Sequence, residues 1–419
     1  MRRRSVLVFE DWRGGAPVAL TRHFCTPLVV RWLFLLKSAG FEEVVVLAPA
    51  RAVREVEALV GDGAELGLRI SYELPGSQAA PSRDGESLFV RADYLVDPEA
   101  FGSFLGGEYT TALHRGVVIL RKLGSQTAGR EVELDALVEP RRRPACVHGG
   151  DEASARAALQ RWSRKGIHVT SRLNAPLEDA IIRAVGGICW LTPNRVTLLV
   201  NALAPLAMWL FLSGDFLRAS AFSYALGVLD GVDGKLARVR GVLTKLGHLE
   251  HSLDALYEQA LYASFTLGLV LQGYGLLAAS LGLAFLVVDS FVRHVYNQFA
   301  LVTGKPLKRY SRFDEKFALV DGRRNIYLLY FLASSAAGLP LLGLVLALAH
   351  AVVTALVYLL RAAHHLRELD RREGVEAFKK LLGGCARAPS LDNPPQAQGC
   401  CREEGQGVQG DHAQARQGA

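Results

Sequence analysis

Six apolar runs fill the middle of the chain and constrain its fold more than any other feature. Their approximate bounds are 192–212, 216–238, 247–271, 274–295, 323–337 and 341–360. A helix needs about 20 mostly apolar residues to cross a bilayer, and only the fifth run is clearly shorter. Because lipid offers no hydrogen-bond partner to the backbone, runs of this length must be helical. The sequence therefore predicts an all-α transmembrane domain of six helices.

Basic side chains gather in the turns on one side of these runs. One turn holds Arg238, Arg240 and Lys245, and the turn over 305–324 holds seven more. The opposite turns hold almost none. Since basic loops stay in the cytoplasm, we expect a multi-pass protein of the cell membrane with both termini cytoplasmic. This distribution accounts for the net charge of +7, and we predict no nucleic-acid partner.

Four carboxylates stand at the cytoplasmic ends of the second and third runs. Asp230 and Asp233 are three residues apart and Glu250 and Asp254 are four apart, so each pair shares one helix face. Carboxylates at this depth are expensive and persist mainly when they are paired or bound to cations. Oxygen ligands of this kind suit Mg²⁺, Mn²⁺ or Ca²⁺. The stretch 230–254 therefore predicts a divalent-metal site.

The same stretch resembles the signature of the CDP-alcohol phosphotransferases, D-x2-D-G-x2-A-R-x8-G-x3-D-x3-D. The residues that match at the family's spacing are Asp230, Asp233, Gly234, Ala237, Arg238 and Gly247. The family's last two acids would fall on His251 and Ala255. Glu250 and Asp254 keep the four-residue spacing one place earlier, as a one-residue deletion in the preceding loop would leave them. We predict that Glu250 is the third metal ligand; the alternative keeps the family register, with His251 as the ligand.

A second part of the resemblance lies upstream. Residues 170–197 resemble the juxtamembrane entry of that family, which shows an SR-x-LN stretch followed by TPN-x2-T. The matching residues are Ser171, Arg172, Thr192, Pro193, Asn194 and Thr197. Thr192 is expected to cap the helix that Pro193 opens, and the free N–H groups of such a helix end suit a phosphate. The cap alone is the simpler interpretation of Thr192.

The segment before this entry, over 171–183, is expected to form an amphipathic helix. Leu177, Ala180, Ile181 and Ala184 fall on one side of it. A helix of this kind would lie in the membrane interface, with its apolar side towards the acyl chains. The lipid bilayer is therefore an expected partner of the chain.

The resemblance implies transfer of a substituted phosphate from a CDP-alcohol donor to an acceptor hydroxyl, with release of CMP. It implies two divalent metals, Mg²⁺ or Mn²⁺, and a homodimer. The predicted metal ligands are Asp230, Asp233, Glu250 and Asp254. Asp254 is also the predicted catalytic base. The predicted CDP or phosphate ligands are Thr192, Pro193, Asn194, Thr197, Gly234, Lys235, Ala237, Arg238 and Gly247.

The first 165 residues are predicted to form an α/β domain with a Rossmann-like order. Strands are expected at 4–9, 43–48, 88–96 and 116–123, with a helix over 27–40. Residues 26–48 resemble sugar-phosphate nucleotidyltransferases, a family that places a metal-binding aspartate where Asp93 stands. The loop EDWRGGAP lacks the glycine-rich, basic phosphate cradle of that family. We therefore predict a degenerate domain, although an active one remains an alternative.

The predicted organisation has four parts. These are the nucleotidyltransferase-like domain at 1–165, an amphipathic juxtamembrane segment at 166–190, the transmembrane phosphotransferase domain at 191–372 and a disordered tail at 373–419. The fusion resembles the archaeal bifunctional inositol-phosphate cytidylyltransferases and di-myo-inositol-phosphate-phosphate synthases, which implies a CDP-inositol donor and an inositol phosphate acceptor. Glycerophospholipid synthesis is the rival. A transporter that uses the same carboxylates, or an inactive scaffold, is a more distant alternative.

The cysteines give no sign of a metal site or of a disulfide framework. They stand at positions 25, 146, 189, 385, 400 and 401, without the spacing of zinc ligands or of a disulfide-rich scaffold. Cytoplasmic thiols are normally kept reduced. We therefore expect reduced thiols.

Overall fold

The computed structural model describes residues 3–75, 87–123, 129–164, 168–241 and 250–374, together with Phe378. The chain divides into two compact units, Met1–Ala362 and Ala363–Ala419. The first unit contains an α/β region and a helical region. The described part of the second unit is the end of the last helix, two residues after it and Phe378. Nearly all of the tail that we predict to be disordered lies outside the described residues.

Thirteen strands and four helices make up the described α/β region. The strands are β1 (Arg3–Val8), β2 (Trp12–Arg13), β3 (Ala16–Pro17), β4 (Arg22–His23), β5 (Thr26–Pro27), β6 (Phe41–Leu47), β7 (Arg69–Glu73), β8 (Ser87–Arg91), β9 (Tyr94–Val96), β10 (Thr111–His114), β11 (Val117–Leu123), β12 (Glu131–Glu133) and β13 (Cys146–His148). The helices are α1 (Leu28–Ser38), α2 (Ala50–Val60), α3 (Pro98–Gly106) and α4 (Glu152–Ser163).

Seven of these strands form one mixed sheet. Their order is β12-β10-β11-β8-β1-β6-β7, and β1 pairs in parallel with both β6 and β8. The parallel pairing of β1 with β6 confirms the prediction from the two apolar strands. Leu7, Val44 and Val46 are fully buried, and Leu33 and Leu36 of α1 join the same core. The α/β architecture is thus confirmed, and the Rossmann-like order stays a prediction.

Eight helices follow in the described chain, and six of them coincide with the six apolar runs. They are α5 (Val169–Val185), α6 (Pro193–Leu212), α7 (Phe216–Arg240), α8 (Glu250–Leu269), α9 (Gly275–Thr303), α10 (Arg312–Phe317), α11 (Arg324–Ala336) and α12 (Pro340–Arg372). A π-helical turn at Val270–Tyr274 joins α8 to α9.

Three helical stretches of the described chain are long and apolar enough to cross a membrane. They are Pro193–Leu212, Ser252–Thr303 and Pro340–Arg372, and the second contains most of α8 and all of α9. Charged residues interrupt α7, and α11 has only 13 residues. Helices suited to a membrane are therefore confirmed, and the count of six spans stays a prediction.

An aromatic cluster holds the helical region together behind the acidic residues. Phe265 of α8 stacks on Phe331 of α11 with ring centroids 4.0 Å apart. Tyr262 and Phe285 lie edge-on to Phe331, and Tyr327 lies edge-on to both of them. All five side chains are buried. Aromatic pairs of this kind add about 0.5–1.5 kcal/mol each beyond the area that they bury. The cluster fixes α8 against α9 and α11, and so sets the position of the acids at the start of α8.

The amphipathic helix predicted before the first apolar run is present as α5. Leu177, Ala180 and Ala184 are exposed on it, together with Val169 and Leu173, which lie eight and four residues before Leu177. Ile181, which we placed on the same side, is half-buried instead. The opposite face of α5 packs against α7. An open apolar stripe beside a packed polar face is typical of a helix in the membrane interface.

One expectation about the cysteines is wrong. Cys25 and Cys189 form a disulfide, with Cα atoms 5.5 Å apart. The bond joins the turn between β4 and β5 to the segment before α6, across 164 residues of sequence. Only the tertiary fold brings these two positions together, and their spacing in the sequence could not show it. Cys146 is a buried free thiol.

Candidate active site

Three of the four predicted metal ligands lie together where α7 and α8 meet. Asp230 and Asp233 are buried on α7, and Asp254 lies near the start of α8. The carboxyl groups of Asp254 and Asp230 are in contact, and Asp233 is a further acidic neighbour of Asp254. Glu250 lies one helical turn before Asp254 on the same helix, but its side chain is outside the described residues. Gly247 and the side chain of His251 are outside them as well.

An arginine that we did not predict completes this cluster. Nη2 of Arg324, at the start of α11, lies 2.5 Å from Oδ2 of Asp230, and Nη1 lies 2.8 Å from Oε1 of Glu258. Arg324 also donates to the hydroxyl oxygen of Tyr257. A bridging guanidinium between two buried carboxylates offsets part of their desolvation cost. Arg324 is thus the internal counter-ion of the acidic cluster.

The other oxygen of Asp230 is in a different situation. Oδ1 is buried, and no N–H or O–H group of the described chain donates to it. The neighbouring group is the carboxyl of Asp254. Two carboxyl groups in contact cannot both ionise cheaply without a cation between them. This arrangement, built from hard oxygen donors, therefore fits a divalent cation.

The fit involves only part of a coordination shell. Among the side chains that the structure describes, no set of three or more His, Cys, Asp or Glu groups is arranged to hold a metal. The predicted shell includes Glu250, whose side chain lies outside that set. Asp230 and Asp254 are the two residues whose geometry supports a metal, and Asp233 stands beside them.

The upstream threonines support the acids from α6. Thr192 caps α6, its side chain accepting from the backbone N–H of Arg195 at 3.4 Å, and Pro193 follows at the first helical position. The predicted cap is thus confirmed. One turn further, Oγ1 of Thr197 donates to Oδ2 of Asp233 over 2.6 Å. Thr197 therefore orients an acid, whereas Asn194 is exposed and has no contact of this kind among the described residues.

Two of the predicted phosphate ligands are engaged elsewhere. Nζ of Lys235 is buried and lies 2.5 Å from Asp179 and 3.4 Å from Glu178, both on α5. Nε of Arg238 donates to the backbone carbonyl of Ser163 on α4, over 2.7 Å. In this structure, both cations link the helix that carries the acids to neighbouring elements.

The glycines of this helix allow close packing. A Cβ atom added at Gly231 would lie 2.8 Å from Oε1 of Glu178, so that this carboxylate would have to shift. The backbone N–H of Gly234 contacts Oδ1 of Asp233. Ala237, the remaining predicted residue of α7, is half-buried. Small residues thus let α5 approach α7 where the acids lie.

The sequence could have predicted that Glu258 belongs to the acidic cluster. It stands four residues after Asp254 and eight after Glu250, so the periodicity that pairs those two acids also includes it. Its second cation is Arg293 of α9, which in turn lies 3.0 Å from Asp289. The sequence offered no comparable signal for Arg324, because one arginine among many in a basic loop is typical of a membrane anchor.

The acidic group of the α/β region has another arrangement. Asp93 is fully buried, and its Oδ2 accepts from the backbone N–H groups of Glu10 and Asp11 at 2.8 and 3.2 Å. Burial raises the pKa of Asp93, and these two hydrogen bonds partly offset the rise. Asp11 itself lies 3.0 Å from His148 and 3.2 Å from Arg91. Asp93 therefore holds the loop that follows β1.

That loop does not form a phosphate cradle. β2 and β3 make a tight hairpin whose turn is Gly14 and Gly15, both with positive φ angles, 59° and 81°. Such a turn needs glycine for its conformation. The two glycines of EDWRGGAP are thereby accounted for by the hairpin.

Comparisons with known proteins bear on the helical region. Residues 190–357 match the family profile described as CDP-alcohol phosphatidyltransferase. Among solved structures, the chain is similar to Mycobacterium tuberculosis phosphatidylinositol phosphate synthase (PgsA1) with CDP-DAG bound, at 20% identity over 46% of this chain and 94% of that one, with a TM-score of 0.35. The same enzyme in complex with manganese and citrate gives 19% identity over 45% and 88%, with a TM-score of 0.35. No curated protein matches the chain.

The family match spans the helices from α6 to α12, and so includes the acids of α7 and α8. The α/β region lies outside it. Residues 190–357 therefore form a CDP-alcohol phosphatidyltransferase family domain, and the chain is a phosphotransferase enzyme.

Proposed function

We propose that the protein is an integral membrane enzyme that transfers a substituted phosphate from a CDP-alcohol to an acceptor hydroxyl and releases CMP. The observation that carries the proposal is the contact between the carboxyl groups of Asp230 and Asp254, inside the region that matches the family. Like charges in a buried position need a cation. A divalent cation at this position would neutralise the two carboxylates and, beside them, the pyrophosphate of a CDP-alcohol.

Asp230, Asp233, Glu250 and Asp254 would hold two divalent cations, Mg²⁺ or Mn²⁺. When bound, these supply charge neutralisation for the pyrophosphate and for the developing charge on the reacting oxygens. Asp254 takes the proton of the acceptor hydroxyl, a role that suits a carboxylate at the edge of the cluster. Thr197 holds Asp233 in one orientation through its hydrogen bond of 2.6 Å. Arg324 keeps the second oxygen of Asp230 in place.

The start of α6 would bind a phosphate group of the donor. Thr192 and Pro193 leave the first N–H groups of α6 at the same end of the helix as Thr197, which contacts Asp233. Such N–H groups and the helix dipole favour negative charge. The predicted ligands Asn194, Gly234, Ala237 and Gly247 belong to the same proposal. Lys235 and Arg238 would need to leave their present partners to take part.

We propose an inositol-phosphate type of reaction, with CDP-inositol as donor and an inositol phosphate as acceptor. The support is the arrangement of the chain, in which an α/β region precedes the family domain, as in the bifunctional archaeal enzymes that the sequence resembles. The rival is a glycerophospholipid-type phosphatidyltransferase, which would use a CDP-linked lipid as donor. We further propose a homodimer that crosses the cell membrane several times, with the basic loops and both termini on the cytoplasmic side.

The test is a screen of donors and acceptors with the purified full chain in lipid nanodiscs. CDP-inositol and CDP-diacylglycerol are each combined with inositol 1-phosphate or glycerol 3-phosphate, in the presence of Mg²⁺ or Mn²⁺, and CMP release is measured. The expected result is metal-dependent CMP release with CDP-inositol. Release only with CDP-diacylglycerol would favour the rival, and no release with any pair would contradict the proposal.

A matched control separates catalysis from folding. Asp230→Asn should abolish CMP release, whereas Asp215→Asn should leave it unchanged. Asp215 caps the other end of the same helix, accepting from the backbone N–H of Arg218, and asparagine caps a helix as well as aspartate does. Loss of activity in both variants would point to the helix and not to the acid.

A further inference from the structure

A large basic cavity lies between the α/β region and the helices that follow it. Its volume is about 1290 Å³, and α1, α4, α5 and the end of α7 contribute to its walls. Nine basic and three acidic side chains line it, together with apolar groups such as Leu28, Trp32 and Trp162. Small-molecule sites usually measure about 300–1,000 Å³ and combine apolar walls with a few polar groups. This cavity has the size and the mixed lining of a ligand site.

The cavity is distinct from the acidic cluster. Asp230, Asp233 and Asp254 do not line it, and neither does Arg324. Arg238 does line it, and in this structure its side chain is directed to the carbonyl of Ser163. The cavity is therefore a second site, in contact with the helix that bears the acids.

A buried arginine without an acidic partner marks the inner wall. Arg31 of α1 is only 8% exposed, and its Nη2 donates to the carbonyl of His23 over 2.6 Å. Its Nε is buried and has no hydrogen-bond partner, and no carboxylate of the described chain forms an ion pair with it. Burial and the nearby Arg240 lower the pKa of Arg31 to about 9. A buried charge of this kind is costly unless an anion accompanies it.

The rim carries further cations that are not neutralised. Arg172 of α5 and Arg309, which follows α9, are exposed, and neither forms an ion pair with a carboxylate that the structure describes. Two other arginines of the lining differ, since Arg142 pairs with Asp97 and Arg164 pairs with Asp179. The unneutralised charge is thus concentrated on the inner wall and at the rim.

We propose that this cavity binds the phosphate group of a small organic phosphate, whose apolar or planar part rests on the walls of α1 and α4. A guanidinium group binds phosphate through paired, charge-assisted hydrogen bonds. Arginines that form no ion pair with a carboxylate can supply such bonds. Two sources share this chemistry: a nucleotide from the cytoplasm, or the headgroup of an anionic phospholipid beside α5. The proposal does not depend on the proposed reaction.

The test uses the full chain and two probes. Binding of CMP is measured by calorimetry in nanodiscs of neutral phosphatidylcholine with EDTA, which removes divalent metals from the acidic cluster. Retention of phosphatidylglycerol by the detergent-solubilised protein is measured by native mass spectrometry. CMP binding identifies a nucleotide as the source, and lipid retention identifies a headgroup. Absence of binding with both probes overturns the proposal.

The variants concern the rim, because replacing the buried Arg31 could disturb folding. Arg172→Gln combined with Arg309→Gln should weaken binding of the active probe by about tenfold or more, as expected when charged hydrogen bonds are lost. Arg51→Gln combined with Arg312→Gln removes the same charge from exposed positions outside the cavity and should change binding by less than about twofold. Equal effects of the two pairs would overturn the proposal. Asp230→Asn should leave binding intact even if it abolishes turnover.

Discussion

The two buried acidic groups of this protein differ in how their charge is compensated. In the α/β region, Asp93 accepts two backbone N–H groups, and the neighbouring Asp11 lies beside Arg91 and His148. In both acids Oδ1 is buried and accepts no hydrogen bond from the described residues, but where α7 meets α8, Asp230 is in contact with another acid, Asp254. Each group contains an acid that the sequence predicted to bind a metal.

The difference separates a structural acid from a candidate catalytic one. Two backbone N–H groups donate to Oδ2 of Asp93 and hold the loop after β1. A cation that bound this oxygen would have to displace these hydrogen bonds. Contact between two carboxyl groups is unfavourable when both are ionised, and a cation beyond the single charge of Arg324 would stabilise it. The family match covers only the helical region, and the surroundings of the two acids also differ. The following predictions test that distinction.

The largest effect is expected at Asp254. Asp254→Asn should lower turnover by about 10²- to 10⁴-fold, the usual loss when a catalytic base is removed. Binding of the CDP-alcohol should persist, because most of the metal site remains. Steady-state CMP release and equilibrium binding of the donor check the two parts. Near-normal turnover of the variant would show that Asp254 is not the base.

The next comparison concerns the register of α8. Glu250→Gln should reduce metal-dependent CMP release by more than the roughly 10–100-fold that is typical of an outer-shell partner, because a direct ligand is lost. His251→Ala should have a much smaller effect, since on a helix position 251 is rotated by about 100° from position 250. If His251→Ala is inactive and Glu250→Gln is active, the family register is the correct alignment. Asp254 would then not have its proposed role.

A smaller effect is expected when the covalent link between the two regions is broken. Cys189→Ser should lower the free energy of unfolding by about 2–4 kcal/mol, because the disulfide closes a long loop. Wild-type protein treated with a reductant should show the same loss in a denaturant titration. Cys400→Ser, outside the described residues, serves as the control and should show none. If catalysis survives in Cys189→Ser, the acids of α7 and α8 work without this link.

The smallest effect on catalysis is expected at Asp93. Asp93→Asn should leave CMP release within about twofold of the wild-type rate while lowering stability by about 1–3 kcal/mol, since a buried hydrogen-bonding group is altered. The full chain should also fail to use CTP, because the hairpin turn at Gly14 and Gly15 offers no phosphate cradle. The contrary result would be pyrophosphate release from CTP and inositol 1-phosphate by the wild type that is lost in Asp93→Asn. It would show that both acidic groups are catalytic.

Much of the fold followed from local patterns in the sequence. Apolar runs marked six helices, and the strands at 4–9 and 43–48 were correctly predicted to pair in parallel. Periodicity placed Asp230 and Asp233 on one face of α7, and the cap at Thr192 followed from the side chains that favour such a position. These features depend on neighbours within a few residues, which a single sequence displays directly.

The features that the sequence did not show all depend on contacts between distant residues. The disulfide joins positions 164 residues apart, and Arg324 reaches Asp230 from a helix 94 residues later. The engagement of Lys235 by Asp179 likewise depends on how α5 packs against α7. One residue type at one position gives no indication of such partners. The positions of loops and helix ends determine which residues become partners, and only the tertiary structure shows those positions.

The bridge that Arg324 makes between Asp230 and Glu258 bears on how such a protein is made. In the predicted topology, α7 carries its buried acids into the bilayer during synthesis, before any metal need be present. Unpaired charges at that depth would resist insertion and assembly. A guanidinium that arrives with the later helix α11 supplies the missing positive charge from within the chain. The helices can therefore assemble before the proposed metal binds, and the folded protein can exist in a metal-free form.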